Sequence, residues 1–399
     1  MSPLAPPPDL LAARVRDPYP YFAWLRRHAP ARADRRPGRP TVWQISRYED
    51  VQALLMDARL SKDPGRVPGY VAGPTGLNRH LVHADPPDHT RLRTLVNTAF
   101  VPRRIAQLEP VIGDIAHRLL DRVEQRPHVD VIADFAAPLT FRMICAILGV
   151  PPELDTAATR DTLMATISPA GEVDSVQAER DLHALLDSLI VTKRTGGEQS
   201  GTDLLGALVR ASDDSGAMSE EELRSTAYLL LLVGHDTTMN LIGNGTLALL
   251  RNPAQAALLS APDPAPSLVA TAVEELLRYD SPVRDATFRC AAQPLSVQGE
   301  PIAEGDIVSL LIGSANRDGT RFPDADRLDL SRTPNDHLAF GYGPHFCIGA
   351  ALARLEGAVA LPLLLRRLGP VQPAKPVDEL PWRPARVMRG LAALPVVRI

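Results

Sequence analysis

The chain has 399 residues, 45% of them hydrophobic, which is ample for a large buried core. Its net charge of −4 argues against binding of nucleic acid or of an anionic membrane. The cysteines, Cys145, Cys290 and Cys347, are odd in number and far apart, so we expect a reducing, cytoplasmic environment without a disulfide framework. No secretory signal pattern is present, and the apolar run at 227–233 is too short to span a bilayer.

The first part of the chain predicts short helices around one strand. Apolar periodicity predicts helices over 21–28 and 48–56, and alternation predicts a strand over 41–46. A loop rich in Gly and Pro covers 63–83, and it is either functional or a plain surface loop. A helix follows Pro86-Pro87, and in it His89 and Arg93 share one face, which by itself indicates a solvated cationic surface.

The middle of the chain is helical by pattern. Helices are predicted over 108–124 and 139–148, with two more inside 160–194 and a flexible loop over 195–202. Ser219 and Glu222 form a capping-box pattern at the start of a helix that continues to about residue 250. Because this helix is apolar on nearly every side, we expect it to be central and buried.

A polar segment interrupts the central helix, where residues 233–238 read Val-Gly-His-Asp-Thr-Thr. Burying these groups is costly unless they have partners. One interpretation is a helix kink in which Thr hydroxyls bond back to carbonyls. The other is a functional site.

The C-terminal third begins with a helix over 270–279 that carries Glu275 and Arg278, which by spacing form an ordinary surface pair. Strands are predicted over 281–297 and 307–311, with a hairpin turn over 299–305. Cys145 in its helix and Cys290 in its strand are most simply core residues.

A glycine-studded loop then leads into an apolar helix predicted over 348–365. Residues 340–349 read Phe-Gly-Tyr-Gly-Pro-His-Phe-Cys-Ile-Gly, which places Cys347 at a helix N-terminus. Backbone N–H groups there favour a thiolate, which is a good soft ligand for iron, and Phe340 and Phe346 would cover it. A small buried core residue is the alternative for Cys347.

This loop resembles the haem-binding loop of the cytochrome P-450 family, Phe-x-x-Gly-x-x-x-Cys-x-Gly. Phe340, Gly343, Cys347 and Gly349 fill its fixed positions. The resemblance implies that Cys347 is the proximal thiolate ligand of the iron of haem b (iron protoporphyrin IX).

The same resemblance assigns roles to the earlier residues. It implies that four basic residues bind the haem propionates: His89, Arg93, Arg289 and His345. Taken alone, His345 is also compatible with a metal ligand or a loop histidine. Residues 233–238 resemble the Ala/Gly-Gly-x-Asp/Glu-Thr-Thr motif of the family's central helix. In that role Gly234 leaves room over the haem, Thr237 bonds dioxygen and Asp236 relays protons. Val233 departs from the motif and would narrow the space over the haem.

A third motif is structural. Glu275 and Arg278 match the Glu-x-x-Arg helix of the family, and the resemblance implies that Arg327, from the segment 322–327, locks this pair and supports the Cys347 loop. We therefore expect the cytochrome P-450 fold: one mainly α-helical domain over residues 1–399 with small β-sheets.

The expected function is a monooxygenase that inserts one atom of dioxygen into a small hydrophobic substrate, by hydroxylation or epoxidation, in natural-product biosynthesis. The expected pocket draws on apolar and neutral side chains: Val82, Leu230, Val233, Val283, Ala286 and Thr287. A peroxide-using or rearranging haem-thiolate enzyme is one alternative, and a haem sensor without turnover is another. The Asp236–Thr237 pair argues against both, since it serves proton delivery to dioxygen.

Electrons have to come from outside the chain, because it lacks the Gly-x-Gly-x-x-Gly nucleotide-binding fingerprint. We expect a ferredoxin, with its NAD(P)H-dependent reductase, to dock near Arg103, Arg104 and Arg354. The chain itself is expected to be a monomer that binds neither nucleic acid nor membrane.

Overall fold

Helices make up most of the chain, as apolar periodicity predicts. The computed structural model describes residues 5–71, 76–98, 100–167, 175–196, 203–385 and 387–399. In chain order the helices are α1 Pro8–Ala13, α2 Tyr19–His28, α3 Tyr48–Leu55, α4 Asp88–Asn97, α5 Pro102–Ala106, α6 Glu109–Asp121, α7 Ala137–Leu148, α8 Ala157–Ala165, α9 Ser175–Thr195, α10 Leu204–Ser215, α11 Glu220–Leu250, α12 Pro253–Leu259, α13 Pro266–Tyr279, α14 Ile312–Ala315 and α15 Ala350–Leu368.

The strands are short and form three small sheets. They are β1 Ala31–Asp34, β2 Val42–Ile45, β3 Leu60–Ser61, β4 His128–Asp130, β5 Cys290–Ala291, β6 Leu295–Val297, β7 Glu300–Ile302, β8 Ile307–Leu310, β9 Val371–Pro373 and β10 Pro395–Arg398. The sheet orders are β1-β2-β8-β5-β3, β4-β10-β9 and β6-β7. In the first sheet β2 runs parallel to β8, and β3 pairs with β5 so that Ser61 lies opposite Cys290. The expectation of a mainly helical fold with small β regions is confirmed.

Helix α11 is the axis of the core. At its start the Ser219 hydroxyl accepts the Glu222 N–H while the Glu222 carboxylate accepts the Ser219 N–H, which confirms the predicted capping box. The helix is buried on nearly every side and packs against α7, α9, α13 and α15. Burial all round explains why its sequence lacks a polar stripe.

Two predictions about the β regions are wrong in detail. Residues 281–289 form no regular strand, because this stretch is fastened by single contacts such as the Val283–Met388 bridge. The hairpin turn lies at Gln298-Gly299, where φ is +53° and +80°, and β7 therefore occupies part of the stretch predicted as turn. The loop at 63–83 contains two single helical turns, and its residues 72–75 lie outside the described part. So do residues 168–174, within the stretch 160–194 predicted to hold two helices, and residues 197–202 of the predicted loop at 195–202.

One segment, Val131–Leu148, is long and apolar enough to cross a membrane by length and composition. It comprises a π-helical turn, Val131–Ala136, followed by α7, and 67% of it is buried inside the protein. The burial and the packing of α7 against α11 identify it as a core helix.

Candidate haem-thiolate site

The Cys347 loop contains two glycines in the left-handed backbone conformation and one helical turn. Gly341 and Gly343 have φ of +73° and +78°, and a Cβ on Gly343 would lie 2.2 Å from the sulfur of Met56. The Cys347 N–H donates to the Phe340 carbonyl at 2.9 Å, which closes the loop. Helix α15 begins at Ala350, so Cys347 stands just before a helix N-terminus, as the sequence predicts.

Opposing effects act on the pKa of the Cys347 thiol. Burial of the sulfur among protein groups raises its pKa, whereas the Gly349 N–H that bonds the sulfur, Arg93 and Arg354 lower it. The side chain nevertheless remains exposed on one side. A cationic and dipolar environment with one open face suits a thiolate that ligates a metal better than a packed core thiol.

Four basic side chains predicted to bind propionates gather beside the loop. The rings of His89 and His345 lie 4.0 Å apart, and Arg93 donates to the Phe346 carbonyl at 2.7 Å. Burial, with neighbouring cations, lowers the pKa of His345 to about 2. Burial lowers that of Arg289 to about 10, although Asp85 partly offsets the fall. The four residues come from three segments, α4, the stretch before β5 and the Cys347 loop, which the fold brings together.

These residues fit a haem. His89 Nε2 and His345 Nδ1 are buried and have no hydrogen-bond partner among the described residues, although buried polar atoms are almost always paired. Anionic carboxylates at this position would accept from both rings and from the adjacent guanidinium groups. The thiol, the orphaned ring nitrogens and the cations together match the thiolate and propionate contacts that a haem requires.

Sequence reasoning missed Lys62, which is only 1% exposed and donates to the Thr287 hydroxyl at 2.6 Å. No periodicity or motif distinguishes a lysine at this position, since Ser-Lys-Asp after a strand reads as an ordinary turn. What brings it to the site is visible only in the structure: Lys62 follows β3, which pairs with β5, the strand that begins after Arg289.

Asp236 is completely buried on α11. Its Oδ1 accepts from Arg383 at 2.5 Å and from Asn240 at 3.2 Å, while Oδ2 has no partner among the described residues. Burial raises the pKa of this carboxyl, and Arg383 and Asn240 partly offset that rise. Arg383 was also missed, because it lies 147 residues from Asp236 in a segment without regular structure.

Thr237 and Gly234, both on α11, differ in what they contact: Thr237 bonds within the helix, and Gly234 packs against α7. The Thr237 hydroxyl donates to the Val233 carbonyl at 2.7 Å, and α11 continues through this turn, so the bond does not accompany a break in the helix. A Cβ on Gly234 would lie 2.6 Å from Ile144 on α7. The missing side chain of Gly234 thus makes room for α7, and the role of Gly234 over the haem stays a prediction.

His235, the variable position of the motif, belongs to the packing as well. Its Nδ1 lies 2.9 Å from the Thr140 hydroxyl on α7, and burial lowers its pKa to about 3, so the ring is neutral.

The Glu275–Arg278 pair is fully buried, and the prediction of an ordinary surface pair is wrong. The third member is also different from the one expected. Arg332 contacts the Glu275 carboxylate at 3.2 Å, whereas the Arg327 side chain is 68% exposed and contributes only its carbonyl to Arg278. The third member of the network is therefore Arg332, whose side chain is 11% exposed, and not Arg327.

The predicted pocket residues fall into two groups. Val82 and Val233 are half-buried and pack on the same apolar cluster as the buried Leu230 and as Ile348, next to the thiol. The others lie on the segment before β5, where all three are half-buried: Val283, Ala286 and Thr287. Ala286 packs on the core of the first sheet instead.

Of the three arginines predicted to dock a ferredoxin, Arg103 and Arg104 are exposed on α5. Arg354 is engaged within the chain: it donates to both oxygens of Glu274, at 2.7 and 2.9 Å, and its guanidinium lies 4.5 Å from the Phe340 ring centre. It holds the Cys347 loop to α13.

Comparisons with known proteins identify relatives of the chain. The family model for cytochrome P450 matches residues 267–384. Cytochrome P450 107B1 of Saccharopolyspora erythraea is 42% identical over 98% of each chain, and the mycinamicin IV hydroxylase/epoxidase of Micromonospora griseorubida is 37% identical over 94% of each. The solved structure of the tirandamycin C-bound P450 monooxygenase TamI is 39% identical, covers 97% of this chain and 98% of its own, and superposes with a TM-score of 0.89.

Proposed function

The chain belongs to the cytochrome P450 family and is a P450 monooxygenase. From that premise we propose that its haem b is held by Cys347 through the iron and by His89, Arg93, Arg289 and His345 through the propionates. The observation that carries this proposal is the group of buried, unpaired ring nitrogens and cations beside an open thiol. When bound, the haem supplies activation of dioxygen, which no amino-acid side chain provides.

The proximal side of the site stabilises the thiolate. The Gly349 N–H donates to the sulfur, and the positive charges of Arg93 and Arg354 favour its ionised form. Arg354 is kept in place by Glu274, whose pKa its partners hold low, at about 2, so the carboxylate remains charged.

The distal side moves protons. Asp236 can hold a proton at Oδ2, the oxygen without a partner, while Arg383 and Asn240 fix Oδ1. The Thr237 hydroxyl donates to the Val233 carbonyl, so its oxygen is free to accept a further hydrogen bond from a neighbouring donor. An acid next to an alcohol is suited to proton delivery in general acid catalysis.

The substrate we propose is a hydrophobic natural-product intermediate that is hydroxylated or epoxidised. The half-buried apolar side chains Val82, Val233 and Val283 support a hydrophobic ligand. Relatives whose names specify mycinamicin IV and tirandamycin C support the natural-product class.

We further propose a single cytoplasmic domain that works as a monomer with a ferredoxin and its NAD(P)H-dependent reductase. The exposed arginines Arg103 and Arg104 are suited to an acidic redox protein. Arg354 serves the Cys347 loop in this proposal and is left out of the docking surface.

The experiment is Cys347→Ser in the haem-loaded enzyme, read by the absorption of the reduced carbon monoxide complex. We expect the red-shifted Soret band of the parent enzyme to be lost, because a serine oxygen does not replace the thiolate. Cys145→Ser, in the core of α7, is the matched control and should keep the band. A red-shifted band in the Cys347→Ser variant contradicts the proposal.

A further inference from the structure

Lys62 carries a buried ammonium group with too few partners. It is 1% exposed, and among the described residues its ammonium makes one hydrogen bond, to the neutral Thr287 hydroxyl at 2.6 Å. An ammonium has three N–H donors, and its burial costs several kcal/mol unless an anion accompanies it. Among the residues that the structure describes, no carboxylate oxygen lies within 4.0 Å of it.

Thr287 joins Lys62 to the predicted propionate site. Its hydroxyl accepts from Lys62, and its carbonyl accepts from Arg289 at 2.9 Å, so the ammonium and the guanidinium lie on either side of one residue. The strands agree with this placement, because Ser61 pairs with Cys290 and the two cations are next to these residues in sequence. Arg289 is 4% exposed and thus equally buried.

The charges around this cluster do not balance. Lys62, Arg93 and Arg289 are three cations, and Asp85 is the carboxylate that couples to the two more deeply buried ones. The Asp85 carboxylate is already engaged: it accepts hydrogen bonds from the backbone N–H of Lys62, at 2.9 Å, and from the Ser61 hydroxyl. Arg93 also interacts with the Cys347 sulfur, so the two buried cations that share Asp85 leave a surplus of one positive charge, which a propionate carboxylate would balance.

We propose that Lys62 is a further propionate ligand, which donates to the same propionate as Arg289. The inference rests on the proposed function, since it requires a haem at Cys347. It assigns Lys62 a role in holding the cofactor and in setting its charge environment, whereas a purely structural lysine would support the fold regardless of the cofactor.

A propionate ligand and a purely structural lysine predict different changes in haem-free stability when Lys62 is replaced. In a Lys62→Met variant, the haem-free protein should be as stable as the parent or more stable, because an unpaired buried charge has been removed. The haem-loaded protein should lose haem to apomyoglobin about tenfold faster, the size expected for one charge-assisted hydrogen bond. The midpoint potential of the haem should also fall, since loss of a nearby cation favours the ferric state.

The decisive experiment repeats the haem-loss measurement with haem whose propionates are methyl esters. The difference between the parent and Lys62→Met should disappear, because an ester no longer carries the charge that Lys62 binds. Lys375→Met, at an exposed position, is the control and should match the parent with both haems. An equal difference with the two haems, or no difference with either, overturns the inference.

Two further outcomes keep the tests separate. If Lys62→Met is not recovered folded, Lys62→Gln, which also removes the charge, is used, and an unchanged propionate band in its resonance Raman spectrum overturns the inference. A parent enzyme that binds haem with a red-shifted carbon monoxide band, together with unaltered haem loss in the variant, refutes the Lys62 role alone. A parent that does not bind haem refutes the proposed function and this inference with it.

Discussion

Glu356 on α15 should make the enzyme less stable as the pH rises through neutrality. It is 1% exposed, and its carboxyl oxygens have no hydrogen-bond partner of normal geometry among the described residues. Burial raises its pKa from 4.5 to about 8, and the nearby Thr238 hydroxyl offsets this only in part. The folded chain therefore keeps this proton at neutral pH, whereas the unfolded chain has released it.

The sign and size follow from proton linkage. Since the folded state binds the extra proton between the two pKa values, the group's contribution is most favourable below pH 4.5 and is lost as the pH rises to about 8. The loss is about 1.4 kcal/mol per pH unit across that window. Glu356→Gln keeps the shape of the protonated acid and removes this dependence, so its advantage over the parent should grow by about 2.5 kcal/mol between pH 5.5 and pH 7.5.

The assay is urea unfolding of the haem-loaded parent and variant at pH 5.5, 6.5 and 7.5, followed by far-ultraviolet circular dichroism. Glu300→Gln on β7 is the matched control, and its difference from the parent should stay constant because that side chain is exposed. A stability difference for Glu356→Gln that is flat across the three pH values would show that Glu356 is ionised in the folded enzyme, and the reasoning would fail.

Two further predictions concern the buried partner of Glu275 and the packing of Gly234 against α7. Arg332→Met should lower the free energy of unfolding by about 2–3 kcal/mol, because it removes a partner of a buried carboxylate. Arg327→Met should change it by less than about 0.5 kcal/mol, and equal losses in thermal unfolding would restore Arg327 to the network. Gly234→Ala should cost about 1–3 kcal/mol through the clash with Ile144, and most of that cost should vanish in an Ile144→Ala background. Gly113→Ala on α6, where a Cβ meets nothing within 4 Å, should be neutral or stabilising, and a loss there would mean that helix geometry rather than the clash is responsible.

Local signals allowed much of the fold to be predicted. The capping box of α11, the glycine loop before α15 and the apolar periodicity of the long helices each depend on residues close in sequence. The same holds for the position of Cys347, because a turn with two left-handed glycines fixes it against the start of a helix. Such features can be predicted because the residues that determine them are neighbours in the sequence.

The errors arose where a role depends on contacts between distant segments. Arg327 and Arg332 are both arginines in the same irregular stretch, and only the path of the backbone decides which one reaches Glu275. Arg383 meets Asp236 across 147 residues of sequence, and no spacing rule links them. The close approach of Ile144 to Gly234 was likewise missed, because Ile144 belongs to another helix.

The distribution of the basic residues also explains why haem binding and folding should be coupled. The cations are supplied by separate segments, at Lys62, Arg93 and Arg289, and among the described residues Asp85 compensates the burial of Lys62 and Arg289 only in part. A dianionic ligand that binds only the assembled cluster stabilises the folded state by mass action. Removing one cation thus weakens the ligand's contribution while relieving the cost of burial. Cofactor affinity and haem-free stability should therefore move in opposite directions at these positions.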